Sequence, residues 1–226
     1  MAIVSYSRNF IFVKTRKTAG TSIEVELSRR LGPRDVVTPL FPPEPGHDPR
    51  NYKFLGFQRF NNHMPATRIR RQIGARRFNA MFKFCVEREP LDKTISHFRM
   101  KKNMVATNGF DQSITWEDYV ERGDFPIDIE KYTDMVDGRR QLIVDRIIPY
   151  ETLKEGLCEV LAAQGMEDFQ LGTRAKSGYS AVRHIEKQDV TEAQKAKIYA
   201  AFAETMALTG LYSDPTANQQ VREQAV

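Results

Sequence analysis

Residues 12–22 read Phe-Val-Lys-Thr-Arg-Lys-Thr-Ala-Gly-Thr-Ser: an apolar run, a short polar loop and a helix start. That order suits an oxyanion. The first N–H groups of a helix have no internal partner and point toward an incoming anion. Gly20 lets the backbone approach closely, Thr18, Thr21 and Ser22 offer hydroxyl donors, and Lys17 adds a mobile positive charge. An ordinary turn, capped by Thr21 or Ser22, is the competing reading. The loop is not a Walker A sequence, which needs its lysine directly after the second glycine; here Lys17 comes before Gly20.

A second cluster follows residues 79–86 (NAMFKFCV), another buried-strand pattern. Arg88 stands at its end and Ser96 about two turns into the helix that follows. An arginine fork and a hydroxyl converging on one point suit a phosphate. A surface arginine and a helix-face serine are the bland alternative. Proton transfer near neutrality favours histidine, and the chain has four: His47, His63, His97 and His184. Arg68, Arg70, Arg71, Arg76 and Arg77 crowd one segment, a solvated helix face or an attractor for an anionic or sugar acceptor.

The elements that must position these residues alternate. A strand over residues 9–14 leads through the loop into a helix over 21–31 that stops at Gly32-Pro33. Residues 38–50 hold five of the eleven prolines and read as an extended loop. A weak strand over 52–60, a helix over 66–73, the strand over 79–86 and a helix over 90–102 follow. Then come a short helix over 115–122, a strand over 141–148, a helix over 151–164 and a longer helix over 191–208 closed by Gly210. This alternation predicts an α/β fold with a central, mainly parallel sheet covered on both faces. Ligands bind such sheets at the carboxyl ends of the strands. No linker stands out, so one domain is expected over residues 1–212, with a frayed tail over 213–226.

Composition narrows the class. The 226 residues carry 34 Lys+Arg against 29 Asp+Glu, a net charge of +5 that suits an anionic ligand without arguing for nucleic acid. Cys85 and Cys158 lack metal-ligand spacing and are expected as two buried free thiols, which points to a reducing compartment and the cytoplasm. No apolar run is long enough for a membrane span, and the start of the chain is too polar for a signal peptide.

Residues 12–22 resemble the 5′-phosphosulfate-binding loop of PAPS-dependent sulfotransferases (PAPS is 3′-phosphoadenosine-5′-phosphosulfate). They are closest to the carbohydrate-type, heparan/chondroitin sulfotransferase-like branch, with Arg16 where that branch usually has proline. Arg88, Pro90 and Ser96 resemble the family's 3′-phosphate motif, with Glu89 where Asn or Asp is common. Tyr150-Glu151-Thr152-Leu153 and residues 174–179 resemble later family steps. The resemblance implies a P-loop-like three-layer domain and donor contacts from Arg16, Lys17, Thr18, Ala19, Gly20, Thr21, Ser22, Arg88, Ser96, Arg174, Lys176 and Tyr179. It implies catalysis by Lys17, which stabilises the leaving group, and by His63 as general base. PAPS is the implied co-substrate, PAP (3′-phosphoadenosine-5′-phosphate) the product, and no metal is required. The acceptor is a glycan, a lipid-linked sugar or a small natural product, presenting a hydroxyl or an amine. Two rivals stay open. A Mg²⁺-dependent nucleotide kinase-like phosphoryl transferase needs a carboxylate to hold its metal. A non-catalytic basic module binding RNA or another polyanion needs only spread charge.

Overall fold

The computed structural model describes residues 2–103, 113–172 and 182–212. The chain divides into two compact units, one of residues 1–87 and 128–176, the other of residues 88–127 and 177–226. Arg174, Lys176 and Tyr179 lie outside the described residues, as does the tail over 213–226.

The first unit is α/β, built on a mixed five-stranded sheet flanked by helices. Its strands are β1 (Ala2–Ser5), β2 (Phe10–Val13), β3 (Val36–Val37), β6 (Phe82–Glu87) and β9 (Arg146–Pro149), in the order β3-β1-β2-β6-β9. The β2–β6 and β6–β9 pairs are parallel, whereas β1 runs antiparallel to both β2 and β3. The sheet is therefore parallel only in part, not in the main as the alternation of elements suggests. The difference lies in β1, four residues with no periodicity to betray them; Asn9, at φ 56°, stands at the turn that folds β1 back on β2.

Side chains from one sheet face, including Phe10, Phe12, Phe84, Val86 and Ile148, form a core with two helices. These are α1 (Gly20–Ser28), through Ile23 and Leu27, and α7 (Leu153–Ala162), through Leu157 and Leu161. The alternation Phe10/Phe12 and Phe84/Val86 follows from the two-residue period of a strand. Two further helices, α2 (Ala66–Ile73) and α3 (Ala75–Ala80), precede β6; Asn79 and Ala80 are helical and not part of the strand. Two hairpins complete the unit: β4 (Lys53–Phe54) with β5 (Phe57–Gln58), and β7 (Thr133–Val136) with β8 (Arg139–Leu142), the latter preceded by α6 (Ile129–Tyr132). The stretch read as one strand over 141–148 is thus two, since β8 ends at Leu142 and β9 starts at Arg146. Cys85 is buried as expected. Cys158 is exposed, because it falls on the outer side of α7.

The second unit is helical, with α4 (Pro90–Asn103), α5 (Trp116–Arg122) and α8 (Glu192–Thr209). Its own core includes Leu91, Ile95, Phe98, Trp116, Tyr119, Ile198 and Phe202. Capping boxes start α5 at Thr115 and α8 at Thr191, and Gly123 and Gly210 close them in the left-handed region. Glu89 starts α4: its carboxylate accepts from the N–H groups of Leu91 and Asp92 at 3.1 and 2.8 Å, and from the Tyr199 hydroxyl at 2.6 Å. The longer side chain thus performs the turn-capping role that Asn or Asp would have there.

At the end of β2 the first unit buries a charge. Lys14 Nζ donates to Glu24 Oε2 at 2.8 Å and to Thr21 Oγ1 at 3.2 Å, and both members of the ion pair are buried. Removing one partner of such a pair strands the other. Glu24→Ala is expected to cost about 3–5 kcal/mol in chemical denaturation. The double replacement Lys14→Met/Glu24→Leu is expected to cost less than half of that, because no unpaired charge remains.

Candidate functional site

Residues 14–20 leave the carboxyl end of β2 and enter α1. Lys17 and Ala19 both have positive φ, 61° and 56°, on either side of Thr18. Ala19 is the N-cap of α1 and supplies no side-chain cap, nor does the first turn hold an acidic residue. Thr21 and Ser22 lie inside the helix, so the reading of either as a cap does not hold. The helix start keeps its positive pole without a carboxylate of its own.

The loop is held from three directions. The Thr15 hydroxyl donates to the Val86 carbonyl, fastening the loop to the end of β6. The Thr18 hydroxyl lies 2.9 Å from that of Thr15 and is fully buried, so it braces the turn from within. The Arg16 N–H and Nε donate to the two oxygens of the buried Asp128, at 2.6 and 3.0 Å, and Lys131 stands 3.4 Å from the same carboxylate. The Arg16 side chain is thus engaged at the loop's edge, with Asp128 as its partner. Nothing in the sequence around Asp128 signals that role, which exists only once the chain returns to the loop 112 residues later.

Gly20 has a reason apart from a ligand. A Cβ there would stand 2.6 Å from the stem of Lys14, and that stem is pinned by Glu24 and Thr21. Lys17 and Ala19 are half-buried at the loop, Thr21 faces Lys14, and Ser22 is buried in the first turn of α1.

His63 is brought to the same place from 49 residues away: its Nδ1 lies 3.2 Å from the Lys14 carbonyl oxygen. A carbonyl only accepts, so Nδ1 carries the proton and donates, which leaves the Nε2 lone pair as the basic site. Burial, with nearby positive charges that include the chain's amino terminus and then Lys14 adding to it, pushes the His63 pKa down from 6.5 to about 2. The ring is therefore neutral at pH 7. Asp128 acts in the opposite sense, toward the imidazolium. The remaining histidines have other settings. His97 is buried against the Tyr119 hydroxyl at 2.8 Å, and exposed His184 has its Nε2 3.0 Å from Asn103 Oδ1. His47 is lowered to about 4, mainly by burial.

Arg88 and Ser96 belong to the helical unit. Arg88 is the residue after β6 and Ser96 lies on α4; both are half-buried. Among the described residues no group of three His, Cys, Asp or Glu is placed to hold a metal ion, and no helix is long and apolar enough to cross a membrane.

Comparison with known proteins adds one relative. A protein of Archaeoglobus fulgidus described as uncharacterized is 28% identical over 123 residues, 51% of this chain and 97% of its own length. No family profile matches the chain, and no solved structure matches it.

The His63 environment predicts acid sensitivity. Its folded pKa lies below its unfolded value of 6.5, so between the two the unfolded chain binds the extra proton. The stabilisation is complete above pH 6.5 and falls as pH drops below it, by up to about 1.4 kcal/mol per pH unit for this group. Denaturation midpoints measured at pH 7 and 5 should differ less for His63→Gln than for the parent, since the amide can donate to Lys14 but does not titrate.

Proposed function

We propose that the chain is a sulfotransferase moving a sulfuryl group from PAPS to a hydroxyl or amine of an acceptor. The observation that carries the reading is the loop at the end of β2. Two left-handed residues, an uncapped helix start and a histidine with a free Nε2 meet at one strand end, where the sequence resembles a phosphosulfate-binding loop. The donor supplies an activated sulfur–oxygen bond to a phosphate. Lys17 and the loop N–H groups bind the phosphosulfate oxygens and offset the negative charge that grows on the bridging oxygen as that bond breaks. His63 Nε2 takes the proton that the acceptor loses as the new bond to sulfur forms. A pKa of about 2 makes His63 a weak base in the ligand-free protein. The dianionic phosphosulfate group of the donor beside it favours the imidazolium and raises that value. Asp128 holds Arg16 and with it the entrance to the loop. Arg88 and Ser96 are assigned to the 3′-phosphate by their resemblance to the family motif alone.

The reading is tested first by binding. PAP at 100 times its Kd stabilises a folded state by about 2.7 kcal/mol, which for this chain length is a rise of roughly 5–10 °C in Tm. ATP, which lacks the 3′-phosphate, is expected to raise it less. Equal shifts would remove the basis for a 3′-phosphate site.

Catalysis separates the two central residues. His63→Ala should lower turnover by about 10²–10⁴-fold while PAP affinity stays near the parent value. Lys17→Ala should lower turnover and weaken PAP together. Turnover with labelled PAPS over an acceptor panel, beside PAP titration of each variant, distinguishes these outcomes.

A further inference from the structure

The hairpin formed by β4 and β5 ends in Phe54-Leu55-Gly56-Phe57, and three of these four residues present large apolar side chains to solvent. Phe54 is 57% exposed, Leu55 80% and Phe57 79%. Phe54 and Phe57 are direct cross-strand partners, so they share one face of the ribbon. A Cβ built on Gly56 would meet no atom within 4 Å, so the tip projects into open space. Isolated exposed apolar residues are ordinary, but three together on a protruding tip are not.

Turn chemistry does not demand them. Leu55 and Gly56 have φ of 47° and 81°, both left-handed, as a two-residue hairpin turn requires. Asn or Asp suits the first position, and leucine there is strained. The same unit shows the ordinary solution at the β7–β8 hairpin, where Asp137 and Gly138 take φ of 50° and 74°. At the tip of β4–β5 an exposed leucine has replaced the residue that the backbone favours, and strain kept at such a point is a pointer to function.

Charge identifies the partner. Residues 49–82 hold Arg50, Lys53, Arg59, Arg68, Arg70, Arg71, Arg76 and Arg77 and no Asp or Glu, a formal +8 in a chain whose total is +5, although Arg50 is paired with Asp48 and Arg70 with Asp134. Arg59 ties the hairpin base to the end of α2, donating to the Gln72 side chain at 3.1 Å and to its carbonyl at 2.6 Å, with its guanidinium over Phe54. Exposed Arg68 and Arg71 lie three residues apart on the helix turn that leads to Gln72, and Lys53 flanks the tip. An apolar point with a basic collar matches a bilayer carrying anionic headgroups. The tip would enter the acyl boundary while the lysine and arginines meet the headgroup charge. A soluble polyanion would use the collar and leave the tip without a partner.

We propose that the β4–β5 hairpin, together with the basic end of α2, docks the protein peripherally on an anionic phospholipid surface. This inference is independent of the donor reading. The test is co-sedimentation of the full chain with vesicles of phosphatidylcholine and phosphatidylserine, beside vesicles of phosphatidylcholine alone. Binding to the mixed vesicles is expected to exceed binding to the neutral ones by roughly tenfold or more, and to weaken with salt. Leu55→Asn/Phe57→Ser should lower it by roughly tenfold. Leu55→Asn alone, which suits the turn and keeps the fold, should lower it in the same direction, as should Arg68→Ser/Arg71→Ser. No binding to the mixed vesicles overturns the proposal. So does unchanged binding by the hairpin variants, which leaves a charge-only polyanion site. A concentration-dependent dimer in sedimentation velocity that Leu55→Asn dissolves also overturns it, since a second copy would then be the occupant.

Discussion

An ammonium group buried at the end of a strand must be met by an anion and by further hydrogen bonds, or the fold does not hold it. Lys14 is that group here, and several other features of the first unit follow from it. Its charge fixes Glu24 in the interior of α1 and engages Thr21 one turn earlier. Its stem crosses the space that any side chain at position 20 would fill, so α1 begins on a glycine. Its carbonyl accepts from His63 and thereby selects the tautomer of that ring. The loop between Lys14 and Gly20 is left to bend in the one way that two left-handed residues permit. Lys14, to which residue type assigns no ligand role, thus sets the geometry of its neighbours in the loop.

The same loop illustrates how preorganisation is distributed. Thr15 and Thr18 face inward and tie the turn to β6, while Asp128 holds the backbone and side chain of Arg16 from outside. Hydroxyls that sequence inspection assigns to a ligand are in part structural, holding the loop backbone in place. The fixed charges around His63 act against each other. Lys14 disfavours the imidazolium and Asp128 favours it, but burial outweighs both and keeps the ring neutral.

The two hairpins of the first unit show the opposite economy. Both solve the same backbone problem with two residues of positive φ. One uses Asp-Gly and the other Leu-Gly; the β7–β8 hairpin also exposes Met135, Val136 and Leu142, but only the β4–β5 hairpin carries an apolar residue in the turn itself, beside a stretch without acidic residues. Backbone geometry is therefore not the reason for the difference.

Much was legible in the sequence because it is local. Apolar runs mark β2 and β6, helical spacing marks the long helices, Gly210 marks the end of α8, and residue types alone set residues 14–20 apart as a tight strand-to-helix loop. Helix α2 falls over residues 66–73, as the pattern after Pro65 indicates. What the sequence could not disclose depends on partners distant along the chain. The antiparallel β1 has too few residues for a periodic signal, and the break between β8 and β9 falls within a mostly apolar stretch, at residues 143–145, where the chain changes sheets. Asp128 and Arg16 are 112 residues apart, and His63 and Lys14 are 49 apart. Residue type proposes a base or a charge partner, but only folding decides which donors and acceptors come within 3 Å, and hydrogen bonds and desolvation act over no greater range.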